Sequence, residues 1–348
     1  MSIANVDEII IPAGEDYHTH LRHGDLMNMV VPHVRKGGIC RALIMPNLTP
    51  PITTLEQVVA YKSELEGLDS SVEYLMTLYL HPSLTPEIIA GAKAVGVTGV
   101  KSYPRGVTTN SEAGIESYDV YYPIFEAMET AGLILHLHGE IPSNPDNDVC
   151  VMNAERSFLS HLEKLHAAFP KLRIILEHST TKEAVALVKK LGPTVAATIT
   201  AHHLELTVDD WAGQPHNFCK PVAKYPSDRA ALRAVVKEGN PKFFLGSDSA
   251  PHDRTKKESC CGSAGVFTTP LLMPYVVTTL LEMGCTSEQI VGFTSANGRA
   301  FYDLPDLKQN ITLVKESATV PQSYAYGEAG EVVPFKAGQT LAWSLRSQ

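Results

Sequence analysis

Basic runs, membrane-length apolar runs and paired cysteines are all missing from this sequence. Its 348 residues carry a formal net charge of −9 without a Lys/Arg-rich segment, so no nucleic acid is expected as a partner. No apolar run approaches the length of a membrane span. The six cysteines form no C-x-x-C pair, and residues 1–11 lack the basic region of a signal peptide. We therefore expect a cytoplasmic protein with reduced thiols and no membrane association.

A short β-branched run, a polar turn and a helical stretch follow one another repeatedly along the chain. Eight runs predict strands, at residues 16–21, 41–45, 74–80, 97–103, 133–139, 173–178, 195–201 and 242–247. Helical periodicity predicts helices at residues 55–65, 121–130, 151–169, 182–191, 227–238, 270–283 and 287–301. Near-continuous apolar strands alternating with helices are typical of a parallel sheet covered on both faces. Eight such units favour a (β/α)8 TIM barrel over an open doubly wound sheet.

The ends of the chain do not follow this repeat. We expect a single domain over residues 1–348, with a barrel core at about 12–302 and an appendage at about 303–348. Strand-like runs at 311–314 and 340–343 predict a small β appendage that also takes in residues 9–11. The long polar segment 207–226 is predicted to be an active-site loop after the seventh strand.

Two histidines stand two residues apart in the first predicted strand. Residues i and i+2 of a strand share a face, so His18 and His20 can both reach one metal ion. Taken alone, the pair fits equally well as two inward-facing histidines held by hydrogen bonds.

A lysine closes the fourth predicted strand. Lys101 could form a buried salt bridge, act as a Schiff-base amine, or be carbamylated by CO2. An ammonium group has three donors and no acceptor, so it cannot bind a cation. A carbamate, by contrast, can bridge two metal ions.

Further polar residues close other predicted strands. His138, His178 and Asp248 end the fifth, sixth and eighth strands. Together with the first histidine pair and the lysine, they would meet at the carboxyl-terminal end of the barrel, where barrel enzymes have their active sites. Asp248 is placed to bind a metal and to accept a proton from its water.

The motifs at these strand ends resemble those of the amidohydrolase superfamily, and within it the single-function dihydroorotases of bacteria and fungi. The resemblance extends from His18 to about Phe301. It is carried by seven motifs: His18-Thr19-His20-Leu21-Arg22, Met45-Pro46-Asn47, Gly99-Val100-Lys101, Thr108-Thr109-Asn110, His138-Gly139-Glu140, Glu177-His178 and Gly246-Ser247-Asp248-Ser249-Ala250-Pro251-His252.

The resemblance implies a cofactor of two Zn²⁺ ions per subunit. Their ligands would be His18, His20, Lys101, His138, His178 and Asp248. The first two histidines and Asp248 would hold one ion, the other two histidines the second, and carboxylated Lys101 and a hydroxide would bridge them. The implied reaction is the reversible hydrolysis of dihydroorotate to N-carbamoyl-L-aspartate, the third step of pyrimidine biosynthesis, with Asp248 as general base. Relatives of this class also imply a homodimer.

The implied substrate carries a carboxylate, and the resemblance assigns residues to bind it. Arg22 shares the face of the histidine pair, and its guanidinium can pair bidentately with a carboxylate. The remaining positions that match the family's substrate contacts are Asn47, Thr108, Thr109, Lys220, His252 and Ala264. Lys220 and Ala264 would act through their backbone, and the two threonines lie on a loop (104–114) expected to close over the substrate.

Three alternatives remain open at this point. A hydantoinase or allantoinase shares the metal ligands, although Arg22 and Asn47 favour an anionic substrate. An inactive relative would typically have lost ligands, and a Schiff-base aldolase using Lys101 has no need of the histidines. His136 is expected to be a core histidine, with a ligand swap left open. No role is assigned to the remaining candidates, which are His203, Cys260 and Cys261.

Overall fold

The computed structural model describes residues 7–346, and its centre is a ring of parallel strands. Strand β1 (Glu8–Pro12) precedes the ring. The ring strands are β2 (Gly14–Thr19), β3 (Ile39–Ile44), β4 (Glu73–Tyr79), β5 (Val97–Ser102), β6 (Ile134–His138), β7 (Ile174–Glu177), β8 (Val195–Ile199) and β9 (Phe243–Leu245). Each pairs with the next along the chain. All eight predicted strands are therefore confirmed.

The ring closes between its first and last strands. The backbone N–H of Asp248 donates to His18 O at 2.8 Å, and that of His20 donates to Ser249 O at 3.0 Å. These bonds join the carboxyl-terminal ends of β2 and β9. The (β/α)8 barrel prediction is confirmed, and the open sheet is excluded.

Helices follow the ring strands, and most of them cover the outside of the ring. They are α1 (Gly24–Lys36), α2 (Leu55–Leu68), α3 (Pro86–Ala92), α4 (Tyr122–Ala131), α5 (Ala154–Ala168), α6 (Lys182–Lys190), α7 (Val208–Trp211), α8 (Pro226–Glu238), α9 (Arg254–Lys257), α10 (Leu272–Glu282), α11 (Ser287–Val291) and α12 (Asn297–Phe301). Thr54 and Thr181 cap α2 and α6 by accepting backbone N–H bonds, as expected at helix starts. Among the described residues, none of the helices combines the length and apolar character needed to cross a bilayer.

The last predicted helix, 287–301, is one helical run with an internal irregularity. A π-helical turn (Gly292–Ala296) separates α11 from α12. Gly298 in α12 lies against the ring of Tyr17, and a Cβ there would come within 2.2 Å of the ring carbon Cε2. The absence of a side chain thus lets this helix approach the barrel closely.

A smaller buried cluster fills the barrel interior. Seven of the eight ring strands contribute to it, together with Met45 after β3 and Tyr302 after α12: Tyr17, Leu43, Met45, Leu75, Ile134, Ile175, Ala196, Phe244 and Tyr302. The rings of Tyr17 and Tyr302 stack with centroids 4.6 Å apart. The interior is therefore a packed core, as in other barrels of this size.

The predicted β appendage is present. β10 (Asn310–Val314) pairs antiparallel with β1 and with β15 (Ser344–Leu345). Two short ladders complete it, formed by β11 (Ala318–Thr319) with β14 (Thr340–Leu341) and by β12 (Tyr324–Tyr326) with β13 (Gly330–Val332). The predicted loop 207–226 is mostly irregular and contains the single-turn helix α7.

Candidate metal centre and active site

The carboxyl-terminal ends of the ring strands surround one cleft. Most of the predicted site residues line it: His18, His20, Arg22, Asn47, Thr108, Thr109, His138, His178, Lys220, Asp248 and Ala264. Lys101 lies on β5 and is fully buried, and His252 stands behind Arg22. Residues separated by up to 246 positions (His18 to Ala264) thus meet at the carboxyl-terminal end of the barrel, as predicted from the sequence.

Two histidines and a carboxylate converge at one point of the cleft. Oδ1 of Asp248 lies 3.1 Å from His20 Nε2 and 3.4 Å from His18 Nε2. All three side chains are buried, and their ligand atoms lie close enough to share one metal ion. Two imidazoles and a carboxylate form a common ligand set for catalytic zinc.

Carboxylates behind two of the histidines fix which ring nitrogen is protonated. A carboxylate only accepts, so His18 donates from Nδ1 to Glu177 Oε2 at 2.9 Å. His138 likewise donates from Nε2 to Glu140 Oε2 at 2.8 Å. The lone pairs of His18 Nε2 and His138 Nδ1 are thereby left for a metal ion, the usual arrangement behind metal-binding histidines.

Glu177 and Glu140 were missed as functional residues by the sequence reasoning. Both stand in motifs that were singled out for their histidines, at one and two positions from a predicted ligand. An acid beside a ligand histidine was the available signal. The pairing of Glu177 with His18 could not be predicted from local sequence patterns, because 159 positions separate the two residues.

Two further buried groups have no hydrogen-bond partner among the described residues, namely the Nζ of Lys101 and the Nδ1 of His178. Lys101 also makes no ion pair within 4.0 Å in this part of the chain, so a buried salt bridge does not explain it. Buried polar groups without partners are costly, and they are expected where a ligand completes the site. The donor set therefore fits a metal centre.

The protonation states suit metal binding. Burial lowers the pKa of His20 to about 4 and that of His178 well below its usual value, so both rings are neutral at pH 7. Burial also lowers the pKa of Lys101 to about 8. Burial works to raise the pKa of Asp248, but the hydrogen bond from His20 and the nearby histidines outweigh it and hold the pKa below the usual range. Asp248 is thus ionised.

Strained backbone occurs where these side chains leave the strands. Three residues other than glycine have positive φ angles at the cleft: Arg22 (64°), His178 (39°) and Asp248 (46°). Such conformations cost free energy for residues with a Cβ and concentrate at functional sites. They lie just after β2, β7 and β9, each of which ends one or two residues before its predicted end.

Arg22 brings a guanidinium cation to the cleft. Its Nε donates to Pro251 O at 3.1 Å, and its terminal nitrogen lies 3.2 Å from His252 Nε2. That ring nitrogen also lies 3.0 Å from Ala264 O, which can only accept, so it donates there and merely contacts Arg22. Burial lowers the pKa of Arg22 to about 10, which leaves the guanidinium charged at neutral pH.

The predicted loop 104–114 lies closed over the cleft. Asn47 Nδ2 donates to Thr109 O at 3.1 Å, and Asn110 Nδ2 donates back to Asn47 O at 2.9 Å. Thr108 and Thr109 thereby face the cleft, while Oδ1 of Asn47 stays buried without a partner among the described residues.

The unassigned histidines turn away from the cluster of His18, His20 and Asp248. His136 donates from Nδ1 to Glu177 Oε1 at 2.6 Å, and its Nε2 packs against Gly99, where a Cβ would lie 2.4 Å away. It is a core histidine here. His203 lies near His202 and Cys219, but its Nε2 donates to Pro221 O and its Nδ1 bonds Thr200 Oγ1.

The cysteines singled out in the sequence lie at the surface. Cys260 and Cys261 are both exposed free thiols. They lie on the loop that follows α9, and neither lines the cleft.

Comparison with known proteins agrees with this geometry. The model of the amidohydrolase family matches residues 9–313. The chain is 47% identical to a dihydroorotase of Mycosarcoma maydis, over 98% of this chain and 99% of the relative. It is 50% identical to a probable dihydroorotase of Schizosaccharomyces pombe, over 96% and 97%.

A solved structure gives the same result. The crystal structure of the Saccharomyces cerevisiae dihydroorotase in complex with 5-fluoroorotic acid has a TM-score of 0.94 and 44% identity, covering 98% of this chain and 99% of that one. These matches favour the dihydroorotase prediction over the hydantoinase alternative. The chain belongs to the amidohydrolase family and, within it, to the dihydroorotases.

Proposed function

We propose that the cleft holds two zinc ions and catalyses the reversible hydrolysis of dihydroorotate to N-carbamoyl-L-aspartate, in pyrimidine biosynthesis. The observation that carries the proposal is the convergence of His18, His20 and Asp248 on one point, in the same cleft as the Arg22 guanidinium. A metal-ligand cluster supplies the means of hydrolysis, and the guanidinium selects an anionic substrate.

The chain's own side chains provide the ligands. His18, His20 and Asp248 would hold the first ion, and His138 and His178 would hold the second; all five line the cleft. Zinc bound there supplies a water nucleophile of lowered pKa and a Lewis acid for the ring carbonyl.

Lys101 completes this ligand set after modification. Its buried amine, with a pKa of about 8, has a sizeable neutral fraction near neutral pH. The neutral nitrogen forms a bond to the carbon of CO2 and loses a proton to solvent. The product is an anionic carbamate, which can bind cations where the ammonium cannot.

Asp248 moves the proton. Its carboxylate is ionised and accepts the proton of the attacking water at an Oδ atom. It then delivers this proton to the departing ring nitrogen. In the ring-closing direction the same carboxylate removes the proton from the attacking nitrogen, as microscopic reversibility requires.

The substrate is held from the other side of the cleft. Arg22, with Asn47 and His252, binds the substrate carboxylate, and the backbone at Lys220 and Ala264 binds the ring. Thr108 and Thr109 on the closed loop exclude water and donate hydrogen bonds.

The test is zinc content by elemental analysis combined with turnover in both directions. We expect about two zinc ions per chain, turnover of dihydroorotate and of N-carbamoyl-L-aspartate, and little turnover of hydantoin, which lacks the carboxylate. Preferred turnover of hydantoin would overturn the substrate assignment. A folded, zinc-loaded protein without activity would overturn the catalytic one. 5-Fluoroorotic acid, the ligand in the Saccharomyces cerevisiae structure, serves as the binding probe.

A further inference from the structure

Two loops present backbone to the substrate side of the cleft. Lys220 lies on the loop after β8, and Ala264 lies on the loop after β9. Both residues line the cleft, although neither belongs to a strand or helix. Something outside the cleft must therefore fix the two loops relative to each other.

A buried lysine joins these loops. Lys257, at the end of α9, donates from Nζ to three carbonyl oxygens: Phe218 at 2.8 Å, Ser263 at 2.9 Å and Gly265 at 2.7 Å. An ammonium has three N–H donors, so all of them are used. The side chain is only 4% exposed and makes no ion pair with any described residue.

The three carbonyls that Lys257 contacts lie close in sequence to Ala264 and Lys220, whose backbone faces the substrate side of the cleft. Ser263 and Gly265 are the two neighbours of Ala264, and Phe218 lies two residues before Lys220. The N–H of Gly265 also donates to Phe218 O at 2.9 Å. One ammonium thus sets the position of Ala264 and its distance from the Lys220 loop.

The Ala264 segment held by Lys257 also contacts Arg22, the proposed anion-binding residue, through His252. Ala264 O accepts from His252 Nε2 at 3.0 Å, and that nitrogen lies 3.2 Å from the Arg22 guanidinium. The backbone of this segment is tightly packed, since a Cβ on Gly265 would lie 2.4 Å from Ala250 O. Movement of the segment would therefore displace His252 and Arg22.

We infer that Lys257 is a positioning residue for substrate binding, which acts by holding the Lys220 and Ala264 backbones and, through His252, the guanidinium of Arg22. The inference rests on the proposed function, because it concerns the same substrate. A cation buried without a counter-anion is costly, and the three carbonyl dipoles offset that cost. Removing the ammonium leaves the carbonyls of Ser263 and Gly265 without this donor, and the loops then rearrange to satisfy them.

The test compares three variants of the zinc-loaded enzyme. Lys257→Met keeps the length of the chain and removes the donors. Lys257→Arg keeps the charge, but its planar fork cannot direct donors to three carbonyls around one point. Lys256→Met is the matched control, since Lys256 is the exposed neighbour on the same helix.

For Lys257→Met we expect KM for dihydroorotate and the Kd for 5-fluoroorotic acid to rise by about ten-fold or more, on the scale of one lost charged hydrogen bond. We expect kcat to change by less than about three-fold, because a positioning role affects ground and transition states alike. Zinc content should equal that of the unmodified enzyme. Lys257→Arg should show an intermediate rise in KM, and Lys256→Met none.

A lower melting temperature with unchanged KM and Kd in either Lys257 variant would overturn the inference, because it would reveal a purely structural role. Loss of zinc together with kcat would also overturn it. If Lys257→Met does not fold, the KM of Lys257→Arg tests the inference, and an unchanged KM in that variant contradicts it. The unmodified enzyme separates the two proposals, since its lack of turnover refutes the proposed function, whereas the inference is judged on the variants of an enzyme whose unmodified form is active.

Discussion

At the scale of single residues, carboxylates behind the histidines orient the candidate metal ligands. Glu177 accepts from His18, from His136 and from Thr198 Oγ1, the last at 2.5 Å. The desolvation of Glu177 is outweighed by His18 and its hydrogen-bonding partners, so its pKa lies well below the usual value and it stays charged. Replacement with Leu would free the His18 ring to change tautomer and orientation.

For Glu177→Leu we expect zinc affinity to fall by about 10- to 100-fold, as measured by competition with a chelator. Glu177→Gln should be milder, because His136 can move its proton to its free Nε2 while the amide oxygen still accepts from His18. Glu155→Gln is the control, since Glu155 is equally buried but bonds Thr180 away from the cleft. Unaltered zinc affinity in the leucine variant would refute this role.

Asp248 is expected to carry the proton-transfer step. Asp248→Asn keeps the shape of the side chain but removes its basicity, so kcat should fall by about 10²- to 10⁴-fold. Binding of 5-fluoroorotic acid, measured by calorimetry, should change much less. A near-normal rate in this variant would exclude Asp248 as the base.

Arg22 is expected to act on binding. Arg22→Met should raise KM for both dihydroorotate and N-carbamoyl-L-aspartate, because both carry the carboxylate, with a smaller effect on kcat. Arg156→Met is the control, since Arg156 lies on α5 and pairs with Glu183 at the surface. Equal KM values in the Arg22 variant and the unmodified enzyme would place the carboxylate elsewhere.

At the scale of elements, periodicity was sufficient to predict the barrel strands and most of the helices. Hydrophobic patterns are local, and so β5 and β8 begin at the predicted residues Val97 and Val195. Strand ends were less predictable because β2 and β9 end early, where the backbone turns to place His20 and Asp248. The contacts of Glu177 and Lys257 could not be predicted, since they depend on barrel closure and on loop packing that no local pattern encodes.

The loop 104–114 gives a prediction at this scale. Its closed position depends on the reciprocal bonds of Asn47 with Thr109 and Asn110. Asn110 has a φ of 53°, which glycine adopts without strain, so Asn110→Gly removes the bond to Asn47 O and adds no clash. We expect a higher KM and faster proteolytic cleavage within the loop. Cleavage at the original rate with an unchanged KM would show that the bond does not hold the loop.

At the scale of the whole molecule, the two ends of the barrel differ in the polar groups that they contain. The carboxyl-terminal end holds the cleft, while buried ion pairs gather at the start of β2 and β3. There Glu15 accepts from Arg41 at 2.6 Å, from Arg299 at 2.8 Å and from Tyr17 at 2.5 Å. The single-domain organisation, the homodimer and the cytoplasmic location stay predictions. Light scattering of the purified protein measures its molar mass and so tests the homodimer.

This arrangement predicts that a substitution at the amino-terminal end of the barrel strands lowers stability without changing catalysis. Arg41 is fully buried, so Arg41→Met leaves the Glu15 carboxylate buried with one cationic partner fewer. Breaking such a pair costs about 3–5 kcal/mol of unfolding free energy, which denaturant titration measures. Because the pair lies at the opposite end of the barrel from the cleft, KM and kcat of the folded variant should equal those of the unmodified enzyme. Arg346→Met, which removes only an exposed pair with Glu8, should cost less than about 1 kcal/mol. A change in KM for Arg41→Met without loss of stability would contradict this division between the two ends.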